Sequence, residues 1–380
     1  MTPGAAFYAP LKPPDDPVPS GDRQIARLFR AAFAEIGMAT PLASRFRSRD
    51  ARGDPERQRR MAALGPALAR RALRSLSREK PSVWFTYHLY YKAADWFGPE
   101  AAARLGVPYI VAEASYAPKR AGGPWDQAHR RVAEAVGAAA AVLCLNPNDI
   151  PCLEPIAADP ARLIHFPPFL DAARFQATAA DRTAARAGLA RRYGLDDSAL
   201  WLLAVGMMRA GDKAASYAAL ARALERMRFD RPWRLVIAGD GPARDRIEPV
   251  LQAATGGRAV FLGALDEPDL IEAYRAADLM AWPAVGEAFG MAMLEGQASG
   301  LPVVAGRVGG VPAVVADGAS GLLVSPGDDA AFAQTLASLL ADDDRRRAFG
   351  AAGRNRVATE QSLAAAARRL EAVIAGLERP

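Results

Sequence analysis

The sequence predicts an α/β protein in which parallel sheets carry helices on both faces. Three observations lead to this fold class. Short apolar segments alternate with helical patterns along most of the 380 residues, as they do in βαβ units. The length exceeds that of one ordinary core and suits two domains of about 150–200 residues each. The alternation is interrupted over residues 166–198 by Pro167, Pro168 and an Ala/Arg-rich stretch, where we expect the chain to pass between domains.

Each apolar segment is a candidate strand. The first half contains five: AAFYAP, SVWFTYH, YIVAEAS, AVLCLN and LIHFP. The second half contains six: LWLLAVGM, WRLVIAGDG, RAVFLGAL, DLMAWP, PVVAGR and GLLVS. Helical patterns separate most of them, for example over residues 213–228 and 267–276. We therefore expect one domain over residues 1–175, a second over 176–360 and a terminal helix over 361–380.

Positive charge is concentrated in one block. The net charge is +6, but residues 45–80 hold twelve Arg or Lys against four Asp or Glu. Four apolar residues of the block recur at nearly helical steps: Met61, Leu64, Leu68 and Leu76. The arginines around them are Arg57, Arg60, Arg70, Arg71, Arg74 and Arg78. A solvated helix on a core explains this pattern, and so does a helix that touches an anionic membrane or substrate. No nucleic-acid-binding motif is present, so we expect no nucleic-acid partner.

The chain contains no run of about 18 apolar residues, so no membrane span is expected. The apolar start of MTPGAAFYAPLKPPDD is too short for a signal peptide. We therefore expect a cytoplasmic protein with peripheral contact at the inner membrane face through residues 45–80. Cys144 and Cys152 match no metal motif.

Ligands of open α/β sheets bind at the carboxyl ends of the strands, which makes the strand-to-helix turns candidate sites. In PAVGEAFGMAMLEGQASG, a helical pattern begins near Gly290 and Met291, and its free N–H groups suit an anion. Glu295 borders the apolar face of that helix, where a carboxylate needs a partner such as a sugar diol. A glutamate that simply extends to solvent fits the spacing equally well.

Two further turns in the second half can be compared with the phosphate-binding motifs of other protein classes. Arg209 and Lys213, in AVGMMRAGDK, are cations that could hold a diphosphate. This turn lacks the P-loop pattern, which argues against a nucleoside triphosphatase. The turn VIAGDGPARDR lacks the third glycine of a dinucleotide fingerprint, which argues against a dehydrogenase.

The first half offers three more candidate residues. The loop after AAFYAP enters a helix at Ser20, Gly21 and Asp22. Ser20 or Asp22 is a candidate N-cap, and Gly21 would admit a ligand phosphate close to the helix end. His88 ends one predicted strand and Glu113 ends the next. Either is a candidate acid/base or hydroxyl-orienting group, and a structural role fits equally.

The segment GEAFGMAMLEGQASGLPVVAGRVGGVPAVVADGASGLLVSPGD resembles the donor-binding region of family 4 retaining glycosyltransferases, which have the GT-B fold. Glu287 and Glu295 match the Glu-x7-Glu signature of that family. IAGDGP, FLGAL and AYRAADLMAWPA follow the order of its other motifs. The resemblance covers residues 200–330 strongly and the first half loosely.

The resemblance implies two Rossmann-like domains facing across a cleft, with the C-terminal helix crossing back to the first domain. It implies that Glu295 holds the ribose of a nucleotide diphosphate sugar and that Glu287 contacts the donor sugar. Phe289, Gly290 and Met291 are expected to present backbone N–H groups to the sugar and phosphate.

The same resemblance implies that Arg209 and Lys213 neutralise the diphosphate, so that neither a metal nor another cofactor is expected. Gly21 and Gly206 are the remaining donor-binding candidates. The DDD run at 342–344 resembles a metal motif but precedes RRRAFG as a helix start would, and we interpret it as a cap with surface charge.

The chain departs from the family pattern at two places. The family has Gly-Arg adjacent, with Lys six residues after the Gly, whereas here Arg209 is three and Lys213 seven residues after Gly206. Many members carry a His where Glu113 stands here, and His88 lies one strand earlier. Glu113 and His88 are both candidates for the group at the reacting centre.

The sequence thus predicts a retaining glycosyltransferase that moves a sugar from a nucleotide diphosphate donor to a hydroxyl acceptor, a sugar or a lipid-linked one. Its products would be glycans, glycolipids or cell-envelope polysaccharides. The alternatives are a nucleotide-sugar epimerase on the same fold and a non-catalytic nucleotide-sugar-binding protein.

Overall fold

The computed structural model describes residues 4–18, 20–76 and 80–377. Its strands are β1 (Ala5–Tyr8), β2 (Val83–Leu89), β3 (Tyr109–Ala114), β4 (Ala141–Cys144), β5 (Leu163–His165), β6 (Leu200–Val205), β7 (Trp233–Ala238), β8 (Ala259–Gly263), β9 (Leu279–Trp282), β10 (Val303–Gly306) and β11 (Gly321–Val324). Its α-helices are α1 (Gly21–Glu35), α2 (Pro55–Leu76), α3 (Gly98–Leu105), α4 (Asp126–Ala138), α5 (Ile150–Leu153), α6 (Ala179–Tyr193), α7 (Asp212–Arg226), α8 (Arg244–Thr255), α9 (Glu267–Ala276), α10 (Met291–Ala298), α11 (Val311–Val314), α12 (Asp329–Ala341), α13 (Asp343–Glu360) and α14 (Leu363–Leu377). Every predicted strand is present, which confirms the α/β class.

The chain forms two compact units. One comprises the residues up to Pro167 together with the segment from Leu363 onward, and the other comprises Pro168–Ser362. The terminal helix α14 therefore belongs to the first unit, where it packs on α1. This confirms the predicted return of the C-terminal helix.

The first unit contains a parallel sheet in the order β1-β2-β3-β4-β5. Residues 39–42 add short parallel bridges to the free side of β1, through Gly4 to Ala39 and Phe7 to Leu42. The chain thus runs from β1 to one side, through α1, and returns through α2 to the other side at β2. Such a reversal is a topological switch point, and it places the expected ligand site of this unit at the carboxyl ends of β1 and β2.

Helix α2 carries the basic block. Its buried residues are Gln58, Met61, Gly65, Ala69, Ala72 and Leu76. Leu64 does not share the buried face of Met61, because its side chain is 49% exposed among exposed arginines such as Arg60 and Arg71. Gly65 explains the choice of face, since a Cβ there would lie 2.6 Å from the Trp96 carbonyl oxygen. Arg78 lies outside the described residues. None of the described helices has the length and apolar character of a membrane span.

The second unit contains a parallel sheet in the order β11-β10-β9-β6-β7-β8. The chain proceeds from β6 through β7 to β8 and then returns to the other side of β6 with β9. The switch point therefore lies between β6 and β9, whose carboxyl ends carry the loops of residues 206–211 and 283–290. The core beneath them contains the fully buried rings of Trp201, Tyr217, Tyr274 and Trp282.

Candidate functional site

The two loops at the switch point of the second unit are in contact. Gly286, in the turn after β9, has a φ of +64°, and a Cβ there would lie 2.4 Å from the carboxyl carbon of Asp212. Only glycine combines this left-handed backbone with so close an approach. The turn after β9 is thereby seated on the start of α7, which carries Lys213.

Lys213 and Glu287 form an ion pair at this contact. Lys213 Nζ lies 2.6 Å from Glu287 Oε2, and the indole N–H of Trp282 donates to the same oxygen at 3.2 Å. The lysine ammonium also lies 5.2 Å from the centre of the Trp282 ring. Both charged side chains are partly exposed, at 26% and 17%, so a fixed cation and a fixed carboxylate are presented together to solvent.

Gly206 and Arg209 lie in the loop that leads to Lys213. The hydroxyl of Tyr217 donates to the Gly206 carbonyl at 2.6 Å, and a Cβ at Gly206 would lie 2.9 Å from the Trp282 ring. The loop is therefore packed on buried aromatic rings at its start. Arg209 lies further along the loop and is exposed.

Helix α10 begins at Met291, directly after the turn that holds Glu287. Gly290 precedes it with a φ of +80°, and no side chain caps the helix start. Phe289 is buried, and the N–H of Gly310 donates to the Ala288 carbonyl at 2.7 Å, which anchors the turn. Free N–H groups at the positive end of a helix dipole form a favourable environment for an anion.

Glu295 lies one turn into α10 and has a specific partner. The Tyr274 hydroxyl donates to its carboxylate at 2.8 Å. Burial raises the pKa of Glu295 to about 7, although the Tyr274 hydrogen bond opposes this shift and the Glu267 charge adds to it. The interpretation of Glu295 as a side chain that merely extends to solvent is therefore wrong: it is a half-buried carboxylate on a tyrosine.

We expect Glu295→Gln to stabilise the chain at high pH only. Because the folded-state pKa is raised, the wild type loses stability as the pH increases from about 4.5, the ordinary value, through 7. The neutral amide does not ionise. The melting temperature of the variant should therefore match the wild type near pH 5 and exceed it by a few degrees near pH 8.5. Glu225→Gln, on the exposed side of α7, is the control, and a difference independent of pH would contradict the assignment.

A second cluster lies at the switch point of the first unit. His88 Nδ1 lies 2.9 Å from Asp22 Oδ1 and 3.8 Å from Glu113 Oε1. The Tyr87 hydroxyl donates to the other Glu113 oxygen at 2.6 Å. The two residues left as alternatives by the sequence, His88 and Glu113, thus belong to one cluster.

Opposite charges tune this cluster. Burial lowers the pKa of His88, but the Glu113 charge, the Asp22 hydrogen bond and the Asp149 charge outweigh it, and the pKa is raised overall. Burial raises the pKa of Glu113 despite its contacts with His88 and Tyr87. Burial also raises the pKa of Asp149, although a hydrogen bond with Ser115 and the His88 charge oppose this shift. The charges of Glu113, Asp22 and Asp149 therefore favour protonation of His88.

Backbone strain accompanies these side chains. His88 and Glu113 have φ values of +62° and +57°, and Ala284, in the turn before Glu287, has +61°. In the described part of the chain, these are the residues other than glycine with positive φ. Such conformations cost about 1–3 kcal/mol each and concentrate at functional sites. All three lie at or just after the carboxyl end of a strand.

Several partners in these clusters were not identified from the sequence. Ser20 caps α1 by accepting from the Arg23 N–H, so Asp22 is not the cap and is free to bind His88. Gly21 is the exposed first residue of α1. Asp149 follows β4, and its position after a predicted strand was the signal that could have indicated it. Tyr274 and Trp282 gave no local signal, because only the packing brings them to Glu295 and Glu287.

The DDD run occupies a helix start, as predicted. Asp342 accepts from the Arg345 N–H as the N-cap of α13, and Asp343 pairs with Arg231 and Arg346. Within the described residues, no group of three His, Cys, Asp or Glu side chains is arranged to hold a metal ion.

Two α/β units, each built on a parallel sheet, define a protein of the GT-B class. The Glu-x7-Glu turn lies at the switch point of the second unit. A model of the family described as Glycosyl transferases group 1 matches residues 199–342. D-inositol 3-phosphate glycosyltransferase from Stackebrandtia nassauensis is 32% identical over 307 residues, or 75% of this chain and 67% of the relative. The chain belongs to the glycosyl transferases group 1 family, which confirms the resemblance.

Other comparisons agree with this assignment. D-inositol 3-phosphate glycosyltransferase from Salinispora arenicola is 33% identical over 197 residues, covering 50% of this chain and 44% of the relative. In the first curated relatives, the match spans 44%, 30% and 62% of their length, about half on average. The solved structure of sucrose-phosphate synthase from Thermosynechococcus elongatus has the same fold, with a TM-score of 0.73, 21% identity and 99% coverage of both chains.

Proposed function

We propose that this protein is a glycosyltransferase that moves a sugar, with retention of configuration, from a nucleotide diphosphate sugar to a hydroxyl acceptor. The observation that carries the proposal is the Lys213–Glu287 pair beside the uncapped start of α10. A cation, a carboxylate and free N–H groups within one small site match the needs of a phosphate joined to a polyhydroxylated ring.

The donor is assigned to the second unit. Glu295, held by Tyr274, accepts hydrogen bonds from the ribose hydroxyls, and Glu287 accepts them from the donor sugar. The backbone from Phe289 to Met291 donates to the sugar and the phosphate. Glu295 is suited to this task because a half-buried carboxylate with a raised pKa regains stability when two hydroxyls donate to it.

The proposed reaction is a front-face substitution. The bond between the anomeric carbon and the diphosphate oxygen breaks, and the acceptor oxygen forms its bond to the same face of that carbon. The acceptor proton passes to the departing phosphate oxygen. Lys213, Arg209 and the start of α10 stabilise the charge that develops on the diphosphate, so we propose that the transfer needs no metal.

The acceptor is assigned to the first unit, where His88 and Glu113 orient its reactive hydroxyl. The relatives named above are D-inositol 3-phosphate glycosyltransferases, which is compatible with an anionic acceptor here. The exposed arginines of α2 and the exposed Leu64 form a surface of the kind that lies on anionic lipid. We propose that residues 45–80 make such a peripheral membrane contact and that the acceptor is a sugar or is lipid-linked.

A nucleotide-sugar panel tests the proposal. UDP-, GDP-, ADP- and dTDP-sugars are incubated with the wild type and with Glu295→Ala, with and without EDTA, while free sugar and nucleoside diphosphate are quantified. We expect slow hydrolysis of one donor, unaffected by EDTA and lost in the variant. Transfer to an acceptor should then give a product with the anomeric configuration of the donor by NMR.

The other outcomes identify the alternatives. Release of an epimer without an acceptor would indicate an epimerase. A nucleotide that raises the melting temperature without any consumption of sugar would indicate a binding protein. If no nucleotide is bound at all, the assignment of the donor site is wrong.

A further inference from the structure

A group of cations and aromatic rings lies beside His88 in the first unit. It consists of Tyr91, Lys92, Arg120 and Trp125, from the loops after β2 and β3, and we call it the Tyr91–Trp125 platform. The two rings meet edge to face, with centroids 5.3 Å apart. Lys92 Nζ lies 5.6 and 5.5 Å from the two ring centres. The guanidinium carbon of Arg120 lies 4.8 and 5.7 Å from them.

The backbone around Asp50 holds this platform in place. The indole N–H of Trp125 donates to the Asp50 carbonyl at 2.9 Å, and the Asp50 N–H donates to the Lys92 carbonyl at 2.7 Å. The buried carboxylate of Asp50 accepts from the backbone N–H groups of residues 52–54 and from the Gln58 amide. The platform is therefore preorganised without any ligand.

Among the residues that the structure describes, neither cation of the platform forms an ion pair. Across residues 4–18, 20–76 and 80–377, the charged groups of Lys92 and Arg120 contact the two rings and form no ion pair within 4.0 Å of a carboxylate. Arg120 Nε is buried without a hydrogen-bond partner in this part of the chain. Both side chains are half-buried. The ring faces compensate such cations only in part, and an unpaired, partly desolvated donor is costly. An anion that reaches both groups would supply the missing partner.

The charge changes sign along the row of rings that leads from His88 to the platform. His88 and Tyr90 have ring centroids 4.8 Å apart, and Tyr90 and Tyr91 have theirs 5.6 Å apart. Carboxylates surround the His88 end of this row, and the unpaired cations lie at the other end. A ligand along the row would place a hydroxyl at His88 and an anionic group at the platform.

We propose that the Tyr91–Trp125 platform binds a phosphate group of the acceptor. The substrate class is then a phosphorylated sugar or polyol, either free as a monoester or present as the diester headgroup of a lipid. This inference rests on the proposed function, since it assigns the acceptor to the His88 side of the first unit.

Calorimetric titration of the full chain tests the platform. The probes are glucose 6-phosphate, inositol 1-phosphate and the soluble headgroup diester glycerophosphoinositol, each compared with its neutral parent, glucose or inositol. We expect at least one phosphorylated probe to bind about tenfold more tightly than its parent. Lys92→Met and Arg120→Met should each reduce that preference to within about twofold. Lys119→Met removes an exposed cation next to Arg120 and should keep it.

Three outcomes would overturn the inference: no phosphorylated probe is preferred, the preference survives both platform variants, or Lys119→Met abolishes it equally. Stronger binding of a monoester indicates a free phosphorylated acceptor, and stronger binding of the diester indicates a lipid headgroup. If the melting temperature of Arg120→Met is much lower than that of the wild type, the phosphate preference of Lys92→Met alone tests the inference. The melting shift caused by the nucleotide-sugar donor is recorded for every variant. If the donor-induced melting shift is retained but no phosphorylated probe is preferred, the platform proposal is rejected and the proposed function stands. If no donor shifts the melting temperature of the wild type, the proposed function is rejected.

Discussion

Lys213→Ala should lower the rate of donor turnover by about 100- to 1,000-fold, the usual cost of removing one group that stabilises transition-state charge. The ammonium is held 2.6 Å from Glu287 and is packed near the Trp282 ring, so it is fixed before the donor arrives. Of its contacts with Lys213 and Trp282, Glu287 then keeps the one with the Trp282 indole. The Glu287 carboxylate is therefore held less firmly for the donor sugar.

The measurement is the steady-state rate of nucleoside diphosphate release, with kcat and KM determined separately. We expect kcat to decrease more than KM increases, because the charge on the leaving diphosphate develops in the transition state. Arg226→Ala removes a cation from the last turn of the same helix and should leave both constants unchanged. Equal activity of Lys213→Ala and Arg226→Ala would exclude Lys213 from the reaction.

The second large effect is expected at His88 and Glu113, and it should be non-additive. His88→Ala and Glu113→Gln should each lower transfer about 100-fold, within the range for groups that orient or move a proton. The double variant should transfer sugar only slightly more slowly than the single variants. The two side chains act as one unit, because His88 Nδ1 lies 3.8 Å from Glu113 Oε1.

A double-mutant cycle on kcat/KM for transfer provides the test, with the donor-induced melting shift as a second readout. That shift should persist in all three variants, since the donor is assigned to the second unit. Glu134→Gln, an exposed carboxylate paired with Arg131, is the matched control. Losses that multiply to about 10,000-fold would show that His88 and Glu113 act independently.

Much of the fold could be predicted from the sequence, because neighbouring residues determine whether a segment forms a strand or a helix. Every strand, and helices such as Glu267–Ala276, follow from the period of the apolar residues. Leu64 shows the limit of that reasoning. Its spacing from Met61 and Leu68 is compatible with the buried face of α2, but Gly65 is in close contact with Trp96, and this steric constraint selects the face.

The sequence alone determined the element types, the candidate turns and the Glu-x7-Glu motif, since all of these depend on neighbouring residues. Only the tertiary structure decided which turns meet. Lys213 and Glu287 are 74 residues apart, and His88 and Asp22 are 66 apart. Strand order brings such positions together, and strand order results from long-range pairing that no local pattern encodes. The same is true of the cations on Tyr91 and Trp125, since only the folded structure shows that they form no ion pair within the described residues.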